Sequence, residues 1–195
     1  MESARQETCD QEIRRQEICQ EICQEIWWTL RAQAGDREAF DRLFRLVQEP
    51  IYRYIFSLVG ARALSEDILQ EVFILIYRKI RWLREPELFR PWVYRIATRE
   101  AFKHLKRERR WSDKTEDESV LHNLPTPSHD ELAPEIVAQL VERLSPASRA
   151  VIVLHYLHEM PLAEIAATLG VALGTVKSRL AYGLDLMRKQ LTANQ

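Results

Sequence analysis

Leu162-Ala-Glu-Ile-Ala-Ala-Thr-Leu-Gly-Val-Ala-Leu-Gly-Thr-Val-Lys-Ser-Arg-Leu180 is the stretch that decides the fold. Leu162, Ile165, Ala166 and Leu169 recur at helical spacing, Gly170 supplies a turn that a Cβ would resist, and a second helix follows. On that helix Val176, Leu180, Leu184, Met187 and Leu191 make one stripe for burial. At 100° per residue, Thr175, Ser178, Arg179 and Tyr182 lie on the opposite side. The outline is that of a helix-turn-helix. Hydroxyls, a guanidinium and a phenol can hydrogen-bond base edges and phosphates in a major groove that admits one helix. The same face would also serve as the solvated side of an ordinary helical hairpin, so the rest of the chain has to discriminate.

Composition narrows the class. The chain has 195 residues, 46% of them hydrophobic and only five of them glycine, enough apolar surface for real cores. No run of alternating β-branched residues is present, which predicts an all-α protein. No apolar run reaches the roughly 18 residues of a membrane span, and the N-terminus carries Glu2, Glu7 and Asp10 in place of an apolar signal core. No membrane insertion and a cytoplasmic location are therefore expected. The net charge of -1 hides a strong segregation. From Arg78 to Arg110 basic residues outnumber acidic ones about three to one, and Asp113 to Glu135 is mostly acidic. A basic patch followed by an acidic tether suits a chain in which one segment touches nucleic acid and the next must not stick to it.

The expected organisation is two helical domains joined by a flexible acidic linker, the second containing the helix-turn-helix. Residues 1–34 form a low-complexity lead in which Gln-Glu-Ile recurs at 11, 16, 20 and 24, with a helical stripe of Ile18, Ile22 and Ile26 before Trp27 and Trp28. Residues 35–111 read as three helices: Asp36 caps one that runs to about Gly60, Ser65 caps a second that ends before Pro86, and a third runs from about Leu88 to Arg110. Residues 112–130 lack a period, contain Pro125 and Pro127, and read as the linker. In residues 131–195 a helix to about Leu144 precedes another that Ser145-Pro146 opens and that ends near His158, and Pro161 opens the helix-turn-helix.

Two faces on the first domain carry chemistry. Between Glu66 and Arg81, Ile68, Leu69, Val72, Phe73, Ile76 and Ile80 occupy the arc for burial, while Asp67, Gln70, Glu71, Ile74 and Arg78 line the other side. Two carboxylates and an amide around an outward isoleucine can dock a basic partner, or simply be a solvated face with one exposed apolar residue. Between Leu88 and Arg110, Phe89, Val93, Ile96, Ala97, Ala101 and Leu105 turn inward, and Trp92, Arg95, Arg99, Lys103, Lys106 and Arg110 form a continuous basic stripe headed by an aromatic. A stripe of this kind can follow a phosphate backbone while the ring stacks on an unpaired base; the bland alternative is a solubilising cationic face with Trp92 in the core.

Three segments in order resemble one family: Ser65-Glu-Asp-Ile-Leu-Gln-Glu-Val-Phe73, Phe89-Arg-Pro-Trp-Val-Tyr-Arg-Ile-Ala97, and Gly174-Thr-Val-Lys-Ser-Arg-Leu180. Together they look like the signatures of an extracytoplasmic-function (ECF) sigma factor of the sigma-70 superfamily, over about Asp36 to Leu191. The resemblance implies a specificity subunit that binds core RNA polymerase and promoter DNA and that an anti-sigma factor can control. It places core-polymerase binding at Asp67, Gln70, Glu71 and Phe73, next to the outward Ile74. It places reading and melting of the minus-ten element at Trp92 through Arg110, and reading of the minus-thirty-five element at Thr175, Lys177, Ser178 and Arg179, beside Tyr182. By the same resemblance the acidic linker would thread the polymerase channel.

Some positions depart from the family pattern. Arg99 stands where an Asn is usual and Lys103 where an Asp is common, both adding positive charge. Ala172 replaces a frequent capping Ser, and Ala181, Tyr182, Gly183 and Asp185 follow where Arg and His are usual. Fewer phosphate contacts there predict weaker, less salt-dependent upstream binding. Cys9, Cys19 and Cys23 lack a nearby histidine and make a poor zinc set, leaving idle thiols or a redox or metal-sensing lead as the two readings. His155 and His158 read as structural. No GxSxG, HExxH or phosphate-loop spacing is present, so neither catalysis nor a cofactor is expected. The rival readings are a stand-alone helix-turn-helix regulator and an adaptor whose basic helix binds an acidic protein.

Overall fold

The computed structural model describes residue 20, residues 23–112 and residues 139–193, and all regular structure among them is helical. Helix α1 covers 23–33, α2 Arg37–Val59, α3 Arg62–Lys79 and α4 Phe89–Ser112. Two one-turn 3-10 segments, Ile80–Trp82 and Pro86–Leu88, join α3 to α4. The described end of α5 (139–142) is followed by α6 Pro146–Tyr156, α7 Leu162–Leu169 and α8 Leu173–Ala193. The all-α expectation is what is observed, and no described helix is long and apolar enough to cross a membrane. Cys9, Cys19, Ile18, Ile22 and the linker beyond Ser112, which closes α4, lie outside the described residues; Cys23 is exposed.

The N-terminal half is built on three stripes that meet. Asp36 opens α2, its carboxylate accepting from the backbone N–H of Glu38 at 2.9 Å and of Ala39 at 3.2 Å. Leu43, Val47, Ile51, Ile55 and Leu58 of α2, Ile68, Val72 and Ile76 of α3, and Phe89, Val93 and Ala97 of α4 are all buried at 3% exposure or less. Each large member contributes about 1.5–3 kcal/mol. Ser65 does not cap α3. The helix begins at Arg62 behind Ala61, and Ser65 sits a turn inside, buried, with its hydroxyl donating to the Ala61 carbonyl at 2.7 Å. Arg62, Ala63 and Leu64 are good helix formers, so the helix extends backwards past a serine that satisfies its own hydroxyl.

Helix α1 belongs to this half. Glu25, 8% exposed, pairs with Arg90 Nε at 2.6 Å, and burial raises its pKa despite that partner. Trp28 lies between the guanidiniums of Arg31 and Arg42, 5.1 and 4.6 Å from its ring centre.

In the C-terminal half Ser145 accepts from Ser148 N–H and Pro146 fills the first turn of α6, as its sequence predicts. Gly170 adopts φ 68° and ends α7, the left-handed turn that its lack of a Cβ permits. Gly183 faces inward: a Cβ there would lie 2.6 Å from Ile152 Cδ1 and 3.6 Å from Ser148 Cβ, so the bare backbone lets α8 approach α6.

The two halves also pack on each other, a contact with no counterpart in the sequence reading. Each supplies an arginine to a helix C-terminus of the other. Arg95 of α4 donates to the Ala167 carbonyl and, at 3.1 Å, to the Thr168 carbonyl at the end of α7. Arg149 of α6 donates to the Leu58 carbonyl at 2.8 Å and the Ser57 carbonyl at 3.5 Å near the end of α2, and also to Leu144 and Glu142 carbonyls. A cation at a helix C-terminus satisfies orphan carbonyls and meets the negative end of the helix dipole. Between these caps Tyr94 Oη and His158 Nδ1 share a hydrogen bond at 2.8 Å, with Tyr54 edge-on to both rings and its hydroxyl bonded to Thr98 at 2.7 Å.

Burial, then the charge of nearby Arg53, lowers the His158 pKa from its ordinary 6.5. The facing groups are Tyr94 and Tyr54, whose pKa values burial raises so that both stay neutral phenols. A histidine held neutral gives its full contribution above about 6.5, the ordinary value it regains when the halves separate and expose it, and loses it as pH falls further, because the exposed form takes up the proton first. The contact between halves is expected to loosen as pH falls below about 6.5, seen as a rising radius of gyration by small-angle scattering. The His158→Gln variant should flatten that dependence, and an equally steep one in it would rule out His158 as the titrating group.

Candidate nucleic-acid interface

The basic stripe of α4 follows from the burial of its opposite arc. With Phe89, Val93, Ala97 and Ala101 fully buried, Arg99, Lys103 and Lys106 are exposed. Trp92 and Arg95 are half-buried, and the side chain of Arg110 lies outside the described residues. Trp92 packs with its ring centre 6.4 Å from that of Phe89 and lines a cavity of about 300 Å³ with Leu83, Leu88 and Arg95. Ala167 and Thr168 of α7 line the same cavity, so the C-terminal half stands against the head of the stripe. Arg95 is already committed to α7 in this arrangement.

The acidic face of α3 is less isolated than its sequence suggests. Asp67, Gln70 and Ile74 are exposed, Ile74 at 47%. Glu71 is half-buried and bridges to α4: its Oε2 meets His104 Nε2 at 3.2 Å and Lys103 Nζ at 3.7 Å. The His104 hydrogen bond holds the Glu71 carboxyl below the usual carboxylate range. Lys103 in turn meets Glu100 at 2.7 Å, and that contact, more than Glu71, raises its pKa. Phe73 turns inward, stacked on Phe44 with ring centres 4.3 Å apart and planes 19° apart. The structure therefore joins the acidic face and the basic stripe through Glu71, Lys103 and His104.

On α8 the inward Val176 is fully buried and Leu180, Leu184, Met187 and Leu191 are half-buried, which fixes the outer face. Lys177, Ser178 and Tyr182 are exposed, Tyr182 at 61%; Thr175 and Arg179 are half-buried. The helix starts without a side-chain cap: the Ala172 carbonyl accepts from Thr175 and Val176, and no hydroxyl assists. Asp185 pairs with Lys189 at 2.8 Å, which removes a free cation from the later turns.

Sequence reasoning missed Tyr94 and Arg149, while His158, read there as structural, bonds Tyr94 across the contact. One signal was available for Arg149, a lone cation directly ahead of the apolar run Ala150 to Leu154. Tyr94 gave none, since it lies beside the buried arc, packed on Tyr54 of its own half and bonded to His158 of the other.

Both halves of the chain match known proteins. The "Sigma-70 region 2" family model matches residues 43–111, and the "Sigma-70, region 4" model matches residues 135–187. The ECF RNA polymerase sigma factor SigW of Bacillus subtilis is 30% identical over 170 residues, covering 80% of this chain and 91% of its own. The RNA polymerase sigma-H factor of Pseudomonas aeruginosa is 30% identical over 174 residues, covering 83% and 90%. Two solved structures share the fold. CnrH in complex with the cytosolic domain of CnrY gives a TM-score of 0.67 at 20% identity, covering 88% of this chain and 99% of that one. The sigma factor RpoE of Bartonella quintana, in complex with the anti-sigma factor NepR, gives 0.64 at 22%, covering 80% and 98%. A stand-alone helix-turn-helix regulator is not favoured, because it leaves the first matched region without a role. The two matched regions, in this order along relatives of nearly the same length, make the chain a member of the sigma-70 family, an ECF RNA polymerase sigma factor.

Proposed function

We propose the following division of labour for a sigma factor that binds core polymerase and directs initiation at a bipartite promoter. Residues 35–111 dock on the polymerase and open the downstream element, residues 131–195 read the upstream element, residues 112–130 connect them, and residues 1–34 are a regulatory or packing lead. Core docking falls to Asp67, Gln70, Glu71 and Ile74, with Phe73 shaping the seam from beneath. Minus-ten DNA meets Trp92, Arg95, Arg99, Lys103, Lys106 and Arg110. Minus-thirty-five DNA meets Thr175, Lys177, Ser178, Arg179 and Tyr182.

The observation that carries this reading is the pairing on α4 of a partly open tryptophan with exposed cations at one face, next to an acidic face on α3. Single-stranded DNA asks for stacking and phosphate contacts, and a basic protein surface asks for carboxylates. The protein acts in the cytoplasm by binding alone, without a catalytic residue, metal or cofactor. Relatives in fold are known in complex with the cytosolic domain of CnrY and with the anti-sigma factor NepR, which supports an anti-sigma partner here as well.

Run-off transcription with purified core polymerase on a genomic promoter library tests the reading. Transcripts that appear only with this chain and share a two-part upstream motif are expected. Identical transcript profiles with and without the chain would overturn it.

A further inference from the structure

Helix α1 is fixed to the body by one face only. Glu25, Thr29 and Ala32 are buried at 8% exposure or less, and the Glu25 pair with Arg90 at 2.6 Å sets the rotation of the helix about its axis. That rotation turns Cys23, Trp27 and Leu30 outward, Trp27 at 55% and Leu30 at 47% exposure. Gln20 is helical and exposed as well. Single exposed apolar side chains are ordinary. A row at intervals of three, four and three residues, as from Gln20 to Leu30, is instead the seam of a coiled coil. In the sequence the alternation runs back through Gln16, Ile13 and Cys9 at intervals of four, three and four. From Cys9 to Leu30 the row covers three heptads, about the least that sustains a two-stranded coil.

The order of residues along the row selects the occupant. Laid parallel and in register on a second copy, Ile13, Trp27 and Leu30 meet their own counterparts, and so do Gln16 and Gln20. The amides can then hydrogen-bond each other, and a polar layer of this kind fixes register at some cost in stability. An antiparallel alignment sets Gln16 against Trp27 and Gln20 against Cys23, which leaves both amides without a partner in the seam. A helix of unrelated sequence would have to carry amides at the same two layers. Glu12 of one copy and Glu17 of the other flank the parallel seam, so like charge weakens the pair and salt relieves it.

We propose that a second copy of this chain docks on the outward face of α1 as a parallel, in-register coiled coil from Cys9 to Leu30. The dimer is weak and reversible, because two of its seven layers are polar. Its seam shares no residue with the polymerase or DNA faces, and the proposal does not depend on the sigma-factor reading.

Sedimentation of the full-length reduced chain tests it. The average mass should climb from one chain towards two between about 1 and 100 µM, the range of a weak association, and association should tighten as salt rises. Trp27→Glu/Leu30→Glu should weaken association more than about 100-fold, since both charges would be buried in the seam. Its thermal melt should match the dilute parent's, because both side chains are exposed in the single chain. The Cys9→Ser/Cys19→Ser variant keeps Cys23 in the seam and should be captured as a disulfide-linked dimer in glutathione buffer. Two thiols join there as one oxidised glutathione becomes two reduced ones. The Cys9→Ser/Cys23→Ser variant keeps Cys19, beside the seam, and should be captured at least about tenfold more slowly, because its sulfurs stand too far apart. A parent chain of single-chain mass over the whole range would overturn the proposal, as would a dimer that survives Trp27→Glu/Leu30→Glu. Equal capture through Cys19 and Cys23 would overturn the register. A monomeric parent whose Trp27→Glu/Leu30→Glu variant no longer binds core polymerase would assign the face to the polymerase instead.

Discussion

The Asp67→Lys/Glu71→Lys double variant is expected to lose binding to core polymerase, by more than about 100-fold in affinity, while its helical circular dichroism stays that of the parent. On the proposed docking face, reversing two carboxylates removes attraction to a basic partner and adds like-charge repulsion, a cost of several kcal/mol. The two positions are not equivalent. Asp67 is exposed and forms no ion pair among the described residues, so Asp67→Lys alone reports docking. Glu71 also bridges to Lys103 and His104, so its reversal disturbs the seat of α4 as well. Those exposed contacts are worth about 1 kcal/mol or less in stability, too little to unfold the half. Co-elution with core polymerase on size exclusion, beside a thermal melt, separates the effects. A double variant that still co-elutes stoichiometrically would discard the docking face.

Removing the arginine of the C-terminal half should have the second large effect. Arg149→Ala leaves the carbonyls of Ser57, Leu58, Glu142 and Leu144 without their cationic donor. Hydrogen bonds to a charged group are worth about 1.5–3 kcal/mol each when buried, and partial hydration of the freed carbonyls reduces the sum. A net loss of about 2–3 kcal/mol at the contact would shift the balance between packed and separated halves by roughly 30- to 150-fold. Small-angle scattering should then show an expanded chain with unchanged helix content. The variant keeps Arg95 for DNA, so isolated Arg149→Ala should bind a melted-strand oligonucleotide more tightly than the parent, by the factor through which the competent population rises. Arg95→Ala should expand the chain too and yet bind the oligonucleotide more weakly. An unchanged radius of gyration in Arg149→Ala would show that the caps do not hold the halves together.

Much of this was legible in the residues because helices announce their inward faces. Asp36, Pro146 and Gly170 marked boundaries that the structure keeps, each through a local mechanism that needs no tertiary information. Ser65 misled because a serine can cap a helix or ride inside one, and only the helix-forming residues ahead of it decide which. Among the candidate site residues, exposure of Asp67, Arg99, Lys106, Ser178 and Tyr182 followed from the stripes opposite them. The pairing of Glu71 with His104 and the commitment of Arg95 to α7 did not, because both depend on residues 33 and more than 70 positions away. Long-range polar contacts leave no period to read. Gln33 is the same case, a polar residue at the end of α1 whose partners are two backbone carbonyls.

The inward glycine of α8 bears on how specificity can change. Because Ile152 reaches into the space a Cβ at 183 would fill, the azimuth of α8 is indexed by an absent atom. A Cβ at 183 can be met by a swing of the Ile152 terminal methyl, but a bulkier side chain presses on α6 itself and rolls or lifts α8, turning the outward side chains from Thr175 to Tyr182 with it. Promoter preference could therefore drift through a position that never meets DNA, with the reading residues themselves untouched.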